Sequence, residues 1–148
     1  MTSNPYLILL ADDDLSDQEI FKNALKSAKF KSKVNILNNG VELINYLNSK
    51  NNLPDVIFLD INMPLKNGLE CLQEIRSDKR FKELIIVMFS NTTSQQKIID
   101  SFENGANVYL SKSHSKEKLH KAIQKIIMYT HLYKTPPFHI DNFIMKLD

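Results

Sequence analysis

Residues 55–60 read Asp-Val-Ile-Phe-Leu-Asp, an apolar run between two acidic residues. A strand that is apolar on both faces is typical of the centre of a parallel sheet, where helices cover both sides. Three further apolar runs each lead to reactive polar side chains. They are residues 7–10 before Asp12 and Asp13, residues 85–89 before Ser90, and residues 108–110 before Lys112. Because the carboxyl ends of parallel strands lie at one edge of a sheet, we expect these polar groups to meet there.

Segments of helical periodicity separate the apolar runs, which predicts alternating strands and helices around one parallel sheet. The first helix is expected over residues 16–29, with Asp14 at its polar start and a capping box formed by Ser16 and Glu19. A second strand is expected at residues 34–37, and each later strand is followed by a further helix. The sequence therefore predicts five βα units.

The composition limits the classes of protein that the chain can belong to. Its 148 residues, 43% hydrophobic and 24% charged, are typical of one globular domain. The net charge of +2 indicates no particular partner. The single Cys71 excludes an internal disulfide and favours a reducing compartment, so we expect a cytoplasmic location. The apolar run at residues 7–11 is too short for a signal peptide, and no stretch approaches the roughly 20 apolar residues of a membrane span.

The side chains expected at the sheet edge suit phosphate chemistry. Carboxylates with a hydroxyl and a lysine, and without cysteine or histidine ligands, favour Mg²⁺ and a phosphoryl group. Asp60 stands alone after a buried central strand, which favours it as the nucleophile. The adjacent Asp12 and Asp13 suit joint ligation of the metal, which would also offset the repulsion between the carboxylates. Ser90 and Lys112 would contact the remaining phosphoryl oxygens.

These residues resemble the receiver domain of two-component response regulators, in particular its single-domain, chemotaxis-type members. The resemblance covers about residues 5–130. It rests on the acidic pair, on the Asp-x-Asn-Met-Pro motif at residues 60–64 followed by Gly68, and on the hydroxyl and lysine after the last two strands. It implies a flavodoxin-like, doubly wound (βα)5 fold with a five-stranded parallel sheet in the order 2-1-3-4-5.

The resemblance also implies a role for each residue of the site. The equivalent of Asp60 accepts a phosphoryl group from a sensor histidine kinase or a histidine phosphotransfer protein. Mg²⁺ is then held by the acidic pair, Asp60 and the backbone carbonyl of Asn62. Ser90 would be the switch hydroxyl, Tyr109 its aromatic partner, and Lys112 the contact to the phosphoryl group. Such a protein is a signalling switch and not an enzyme, because it catalyses only its own phosphorylation and dephosphorylation.

Two features depart from the family pattern. Ser113 follows the lysine where a cis-proline is usual, and a cis bond without proline would cost about 3 kcal/mol, so the loop is either trans or strained. The extension at residues 131–148 is too short for a DNA-binding output domain. We expect it to serve docking or dimerisation, with the signal passing to a partner protein or a self-dimer and with no DNA or membrane involved. Its apolar residues include Phe138, Ile140, Phe143 and Ile144.

Two other functions remain open at this point. A phosphatase of the haloacid dehalogenase class is compatible with Asp12-x-Asp14 after a strand, then Ser90, then a lysine. A phosphatase of this class would leave Asp60 without a role. It would also have an acidic pair after an apolar strand beyond Lys112, and the sequence has no such pair. A receiver-like interaction module that takes no phosphate is favoured only by Ser113, and the intact acids argue against it.

Overall fold

The computed structural model describes residues 6–28, 31–49 and 52–147. All strand pairs are parallel, and they form one five-stranded sheet in the order β2-β1-β3-β4-β5. This arrangement confirms the predicted flavodoxin-like sheet order. The strands are β1 (Tyr6–Ala11), β2 (Ser32–Leu37), β3 (Val56–Leu59), β4 (Ile86–Ser90) and β5 (Val108–Ser111).

Helices lie on both faces of the sheet. They are α1 (Leu15–Lys26), α2 (Gly40–Ser49), α3 (Gly68–Arg76), α4 (Gln95–Glu103), α5 (Lys116–Met128) and the short α6 (Ile140–Phe143). Two 3₁₀ turns, at Lys79–Phe81 and Thr130–Tyr133, complete the elements of the described residues. Helix α1 ends at Lys26, whereas its predicted end at residue 29 lies outside the described residues.

The predicted capping box at the start of α1 is wrong. Asp14 has extended backbone angles, and its carboxylate accepts the N–H of Asp17 at 3.0 Å, so Asp14 is the N-cap. This contact satisfies one of the free N–H groups of the first turn. Ser16 therefore lies inside the helix, where it cannot cap. The prediction that Asp14 marks the polar start of the helix is confirmed.

Two apolar layers pack against the sheet, one on each face. One layer holds the inner faces of α1 and α5, and the other holds those of α2, α3 and α4. Alternate residues of β3 point into the two layers, Phe58 into the first and Ile57 into the second, and both are fully buried. Phe58 packs edge-to-face against Phe21 and Phe89, at centroid distances of 4.8 and 6.3 Å. The burial of β3 confirms its predicted central place.

The C-terminal extension returns to the sheet and covers its β5 edge. Ile144 forms an isolated parallel bridge with Tyr109, and the N–H of Met145 donates to the carbonyl of Tyr109 at 2.8 Å. Phe143 is fully buried, with its ring 5.5 Å from that of Phe102 and 6.3 Å from that of Tyr109. Most of the apolar residues of the extension thus pack on the domain itself, although Phe138 is 91% exposed.

Candidate functional site

The acidic residues converge at the carboxyl edge of the two central strands. Asp12 follows β1 and Asp60 follows β3, and both are buried, whereas Asp13 is exposed. The N–H of Asp60 donates to the carbonyl of Ala11 at 2.9 Å, which extends the sheet ladder to the site. Carboxylate oxygens of Asp12, Asp13 and Asp60 all lie within 4.8 Å of one another. The sheet geometry therefore brings together the three predicted acids.

This cluster has the properties of a site for a hard cation. The Oδ1 atom of Asp12 accepts the N–H of Asp14 at 2.9 Å, but its fully buried Oδ2 accepts no hydrogen bond from the described residues. Burial raises the pKa of Asp12 to about 6 against the opposing effect of Lys112, and it raises the pKa of Asp60 as well. A cluster of carboxylates in which one buried oxygen accepts no hydrogen bond from the described residues fits a divalent cation with oxygen ligands.

Lys112 is the cation that the structure itself supplies. Its Nζ lies 2.8 Å from Asp12 Oδ2, an ion-pair contact outside hydrogen-bond geometry, and donates to Asp17 Oδ2 at 2.7 Å and Asp60 Oδ2 at 3.1 Å. Only 7% of the side chain is exposed. Burial acts to lower the pKa of Lys112, but the contacts with Asp12 and Asp17 raise it above its ordinary value. The ammonium therefore stays charged between the carboxylates.

Asp17 belongs to the site, although sequence reasoning did not identify it. It lies in the first turn of α1 and reaches the end of β5, 95 residues further along the chain. The available signal was its spacing, because Asp17 lies three residues after the N-cap Asp14, in the first turn of the helix that begins beside the acidic pair. Nothing in that spacing names Lys112 as the contact.

Ser90 is the last residue of β4, and Tyr109 lies in the neighbouring strand β5, opposite Met88. Ser90 is fully buried, and its hydroxyl accepts the N–H of Thr92 at 3.3 Å. The hydroxyl of Tyr109 donates to the carbonyl of Ser90 at 3.3 Å, and the Tyr109 ring is 2% exposed. Burial raises the pKa of the Tyr109 phenol. Movement of the Ser90 backbone would therefore displace the Tyr109 side chain through this hydrogen bond.

The loop after β3 depends on a glycine. The N–H of Gly68 donates to the carbonyl of Ile61 at 2.8 Å, which draws the start of α3 against the end of β3. A Cβ atom on Gly68 would lie 2.0 Å from the carbonyl oxygen of Asp60. Asn62 lies in the same loop, and its N–H is 3.4 Å from Asp60 Oδ1. The close approach of Gly68 thus fixes the backbone that carries Asp60.

The loop after Lys112 is not strained. Every peptide bond of the described residues is trans, including that between Lys112 and Ser113. The N–H of Ser113 donates to the hydroxyl of Ser111 at 3.1 Å, which closes a short turn. The loop at this serine is therefore trans.

The fold and the site place the chain among doubly wound α/β proteins that carry an acidic site at the carboxyl edge of the sheet. A family model for the response regulator receiver domain matches residues 8–124. The chain therefore belongs to the response regulator receiver family, whose members accept a phosphoryl group and bind a divalent metal. No helix of the described residues combines the length and the apolar character that crossing a membrane requires.

Relatives of known sequence and structure agree with this assignment. The response regulator Rcp1 of Synechocystis is 30% identical over 127 residues, which cover 82% of this chain and 86% of Rcp1. The crystal structure of its Mn²⁺-bound form gives a TM-score of 0.79 at 29% identity, over 90% of this chain and 99% of the other. The phosphorylated cyanobacterial phytochrome response regulator RcpA gives 0.79 at 27% identity, over 86% and 96%. The comparisons give no support to the phosphatase alternative.

Proposed function

We propose that the chain works as a phosphorylation switch in which Asp60 accepts a phosphoryl group from the phosphohistidine of a sensor histidine kinase or a histidine phosphotransfer protein. The observation that carries this proposal is the position of Asp60 at the end of the central strand. Its carboxylate lies beside those of Asp12 and Asp13 and in contact with the Lys112 ammonium. This arrangement combines a nucleophile, a cation site and a positively charged hydrogen-bond donor within one cluster.

The transfer needs one new bond and one broken bond. A carboxylate oxygen of Asp60 bonds to phosphorus while the phosphorus–nitrogen bond of the phosphohistidine breaks, and the imidazole nitrogen keeps the electron pair. Lys112 donates a charge-assisted hydrogen bond to a phosphoryl oxygen. A divalent cation held by Asp12, Asp13, Asp60 and the carbonyl of Asn62, which we assign as Mg²⁺, would offset the negative charge of the transferring group. The only chemistry assigned to the chain is its own phosphorylation and dephosphorylation.

The signal leaves through Ser90 and Tyr109. A phosphoryl group at Asp60 adds acceptor oxygens and up to two negative charges, which attract the Ser90 hydroxyl. The backbone carbonyl of Ser90 accepts the hydrogen bond of Tyr109, so a shift of the β4 end that accompanies the hydroxyl would change the position of that ring and of the surface made by α4, β5 and α5. This contact supports Ser90 and Tyr109 as the switch pair.

The receiver at residues 5–130 and the extension at residues 131–148 have separate roles in this proposal. The extension contributes to the surface that binds a downstream protein or a second copy of the chain, and the exposed Phe138 supports that role. We assign no DNA or membrane contact, and the proposed location is the cytoplasm.

The experiment that tests the function is phosphorylation by acetyl phosphate with Mg²⁺, followed by intact mass spectrometry. The wild type and Glu83→Gln, which removes an exposed carboxylate before β4, should take up one phosphoryl group, and Asp60→Asn should take up none. Modification should also be lost when the metal is chelated. An unmodified wild type would overturn the proposal. Loss of modification in Asp12→Asn together with normal modification of Asp60→Asn would favour the phosphatase instead.

A further inference from the structure

We infer that Asp17 is a positioning residue of the phosphoryl site, which keeps the Lys112 ammonium in place during phosphoryl acceptance. This inference rests on the proposed function of Asp60. Of the three carboxylates that contact Lys112, Asp17 makes the shortest contact, at 2.7 Å from Oδ2 to Nζ. Its side chain is 19% exposed, and that of Lys112 is 7% exposed, so the pair is largely removed from water.

The other two contacts of Lys112 are made with carboxylates that the reaction requires elsewhere. Asp12 and Asp60 both use Oδ2 to contact the ammonium, and both belong to the cluster of acids that fits a divalent cation. Asp17 is not a member of that cluster. A cation held there would repel the ammonium, and esterification of Asp60 would remove one of the negative charges that hold it. Asp17 is the contact that both changes leave intact.

The side chain of Lys112 needs such a fixed contact. Lysine carries a compact charge on a flexible four-carbon stem, so its position depends on the partners that hold the ammonium. The backbone that carries the Asp17 carboxylate is itself held in place, because the N–H of Asp17 donates to the N-cap carboxylate of Asp14 in the first turn of α1. Without the charge of Asp17, Lys112 would be held by Asp12 and Asp60 alone and would compete with a cation for their oxygens.

The first test compares Asp17→Asn with the wild type in two measurements on the full chain. The rate of phosphorylation by acetyl phosphate should fall about tenfold, since one charge-assisted hydrogen bond is weakened. The affinity for Mn²⁺ alone, measured by calorimetric titration, should fall several-fold. Glu19→Gln, which removes an exposed carboxylate from the same helix, should change neither quantity. Asp17→Glu should restore part of both, because it returns the charge.

The second test separates positioning from a general effect of the lost charge. In a Lys112→Gln background, Asp17→Asn should change the Mn²⁺ affinity less than twofold, since no ammonium is left to position. Circular dichroism would establish that each variant is folded. An equal loss of affinity in both backgrounds, or a single variant that matches the wild type, would overturn the inference. If the wild type takes up no phosphoryl group, the proposed function fails, while the Mn²⁺ titrations still decide the role of Asp17.

Discussion

Lys112 determines the charge balance of the site at the scale of single residues. It is one ammonium among four carboxylates, those of Asp12, Asp13, Asp17 and Asp60. The excess of negative charge raises the pKa of Lys112 and leaves the acidic cluster able to attract a divalent cation. The sheet edge therefore carries more negative charge than Lys112 neutralises, and this excess favours binding of the divalent cation that phosphorylation needs.

Cys71 gives a prediction for the pH dependence of reactivity and stability. The thiol is fully buried, and burial raises its pKa to about 12. Because the folded state favours the neutral thiol, its contribution to stability is complete below the ordinary pKa and is lost as the pH rises from about 9 towards about 12. We expect iodoacetamide to leave Cys71 unmodified at about pH 8 in the native protein and to alkylate it in urea. Native alkylation at the rate seen in urea would contradict this expectation.

The residues of the site differ in how far the sequence predicts them. The convergence of Asp60 and Lys112 follows from strand ends alone, because parallel strands share one edge. Asp17 could not be found in this way, since its contact depends on how α1 packs near the end of β5. The same limit explains the N-cap. Asp14 and Ser16 both satisfy the local preference for a cap, and only the folded structure, in which the Asp14 N–H also donates to Asp12 Oδ1, shows that Asp14 is the N-cap.

At the scale of elements, apolar periodicity in the sequence is sufficient to predict the sheet and the larger helices. Each of the five strands is an apolar or alternating run, and each of the five longer helices buries a stripe at helical spacing, so local pattern and tertiary position agree. The bridge between Tyr109 and Ile144 and the short helix α6 carry no such pattern. They form because the extension packs on an open strand edge. This contact joins distant parts of the chain, so the pattern of neighbouring residues does not predict it.

Gly68 gives a prediction at the junction of β3 and α3. A Gly68→Ala substitution would place its Cβ 2.0 Å from the carbonyl oxygen of Asp60, a backbone atom that cannot move without the sheet. We expect a loss of stability of about 2 kcal/mol in urea unfolding, together with weaker Mn²⁺ binding, because the strain is relieved by moving Asp60. Gly105→Ala is the control, since Gly105 has a φ of 90° but lies beside Arg76 and not beside the site. It should lower stability and leave Mn²⁺ affinity unchanged. Unchanged Mn²⁺ binding in Gly68→Ala would contradict the role of this junction.

At the scale of the whole molecule, the extension closes one edge of the sheet. An edge strand presents unpaired N–H and C=O groups that invite pairing with other chains, and β5 is such an edge in the order 2-1-3-4-5. The extension is held at both ends, since Asn107 donates to the carbonyl of Tyr133 at 2.8 Å and Met145 donates to Tyr109. The covered strand is the one that carries Tyr109. A partner that pairs with this edge must therefore first displace the extension.

Phe143 gives the prediction that tests this closure. It is fully buried against the rings of Phe102 and Tyr109, so Phe143→Ala removes a buried apolar contact that holds the extension. We expect the free energy of unfolding to fall by about 3 kcal/mol. Hydrogen exchange at the Met145 amide should become much faster, because its bond to Tyr109 opens, while exchange in β3 stays slow.

The matched control for this prediction is Phe138→Ala, which removes the same side chain from a position that is 91% exposed. This variant should keep both the stability and the slow exchange at Met145. Because the extension packs on the ring that contacts Ser90, phosphorylation of Asp60 should also accelerate exchange at Met145, and Asp60→Asn should abolish that acceleration. Slow exchange at Met145 in Phe143→Ala would show that the backbone bridge holds the extension without the ring. The coupling between the site and the β5 edge would then have to run through Tyr109 alone.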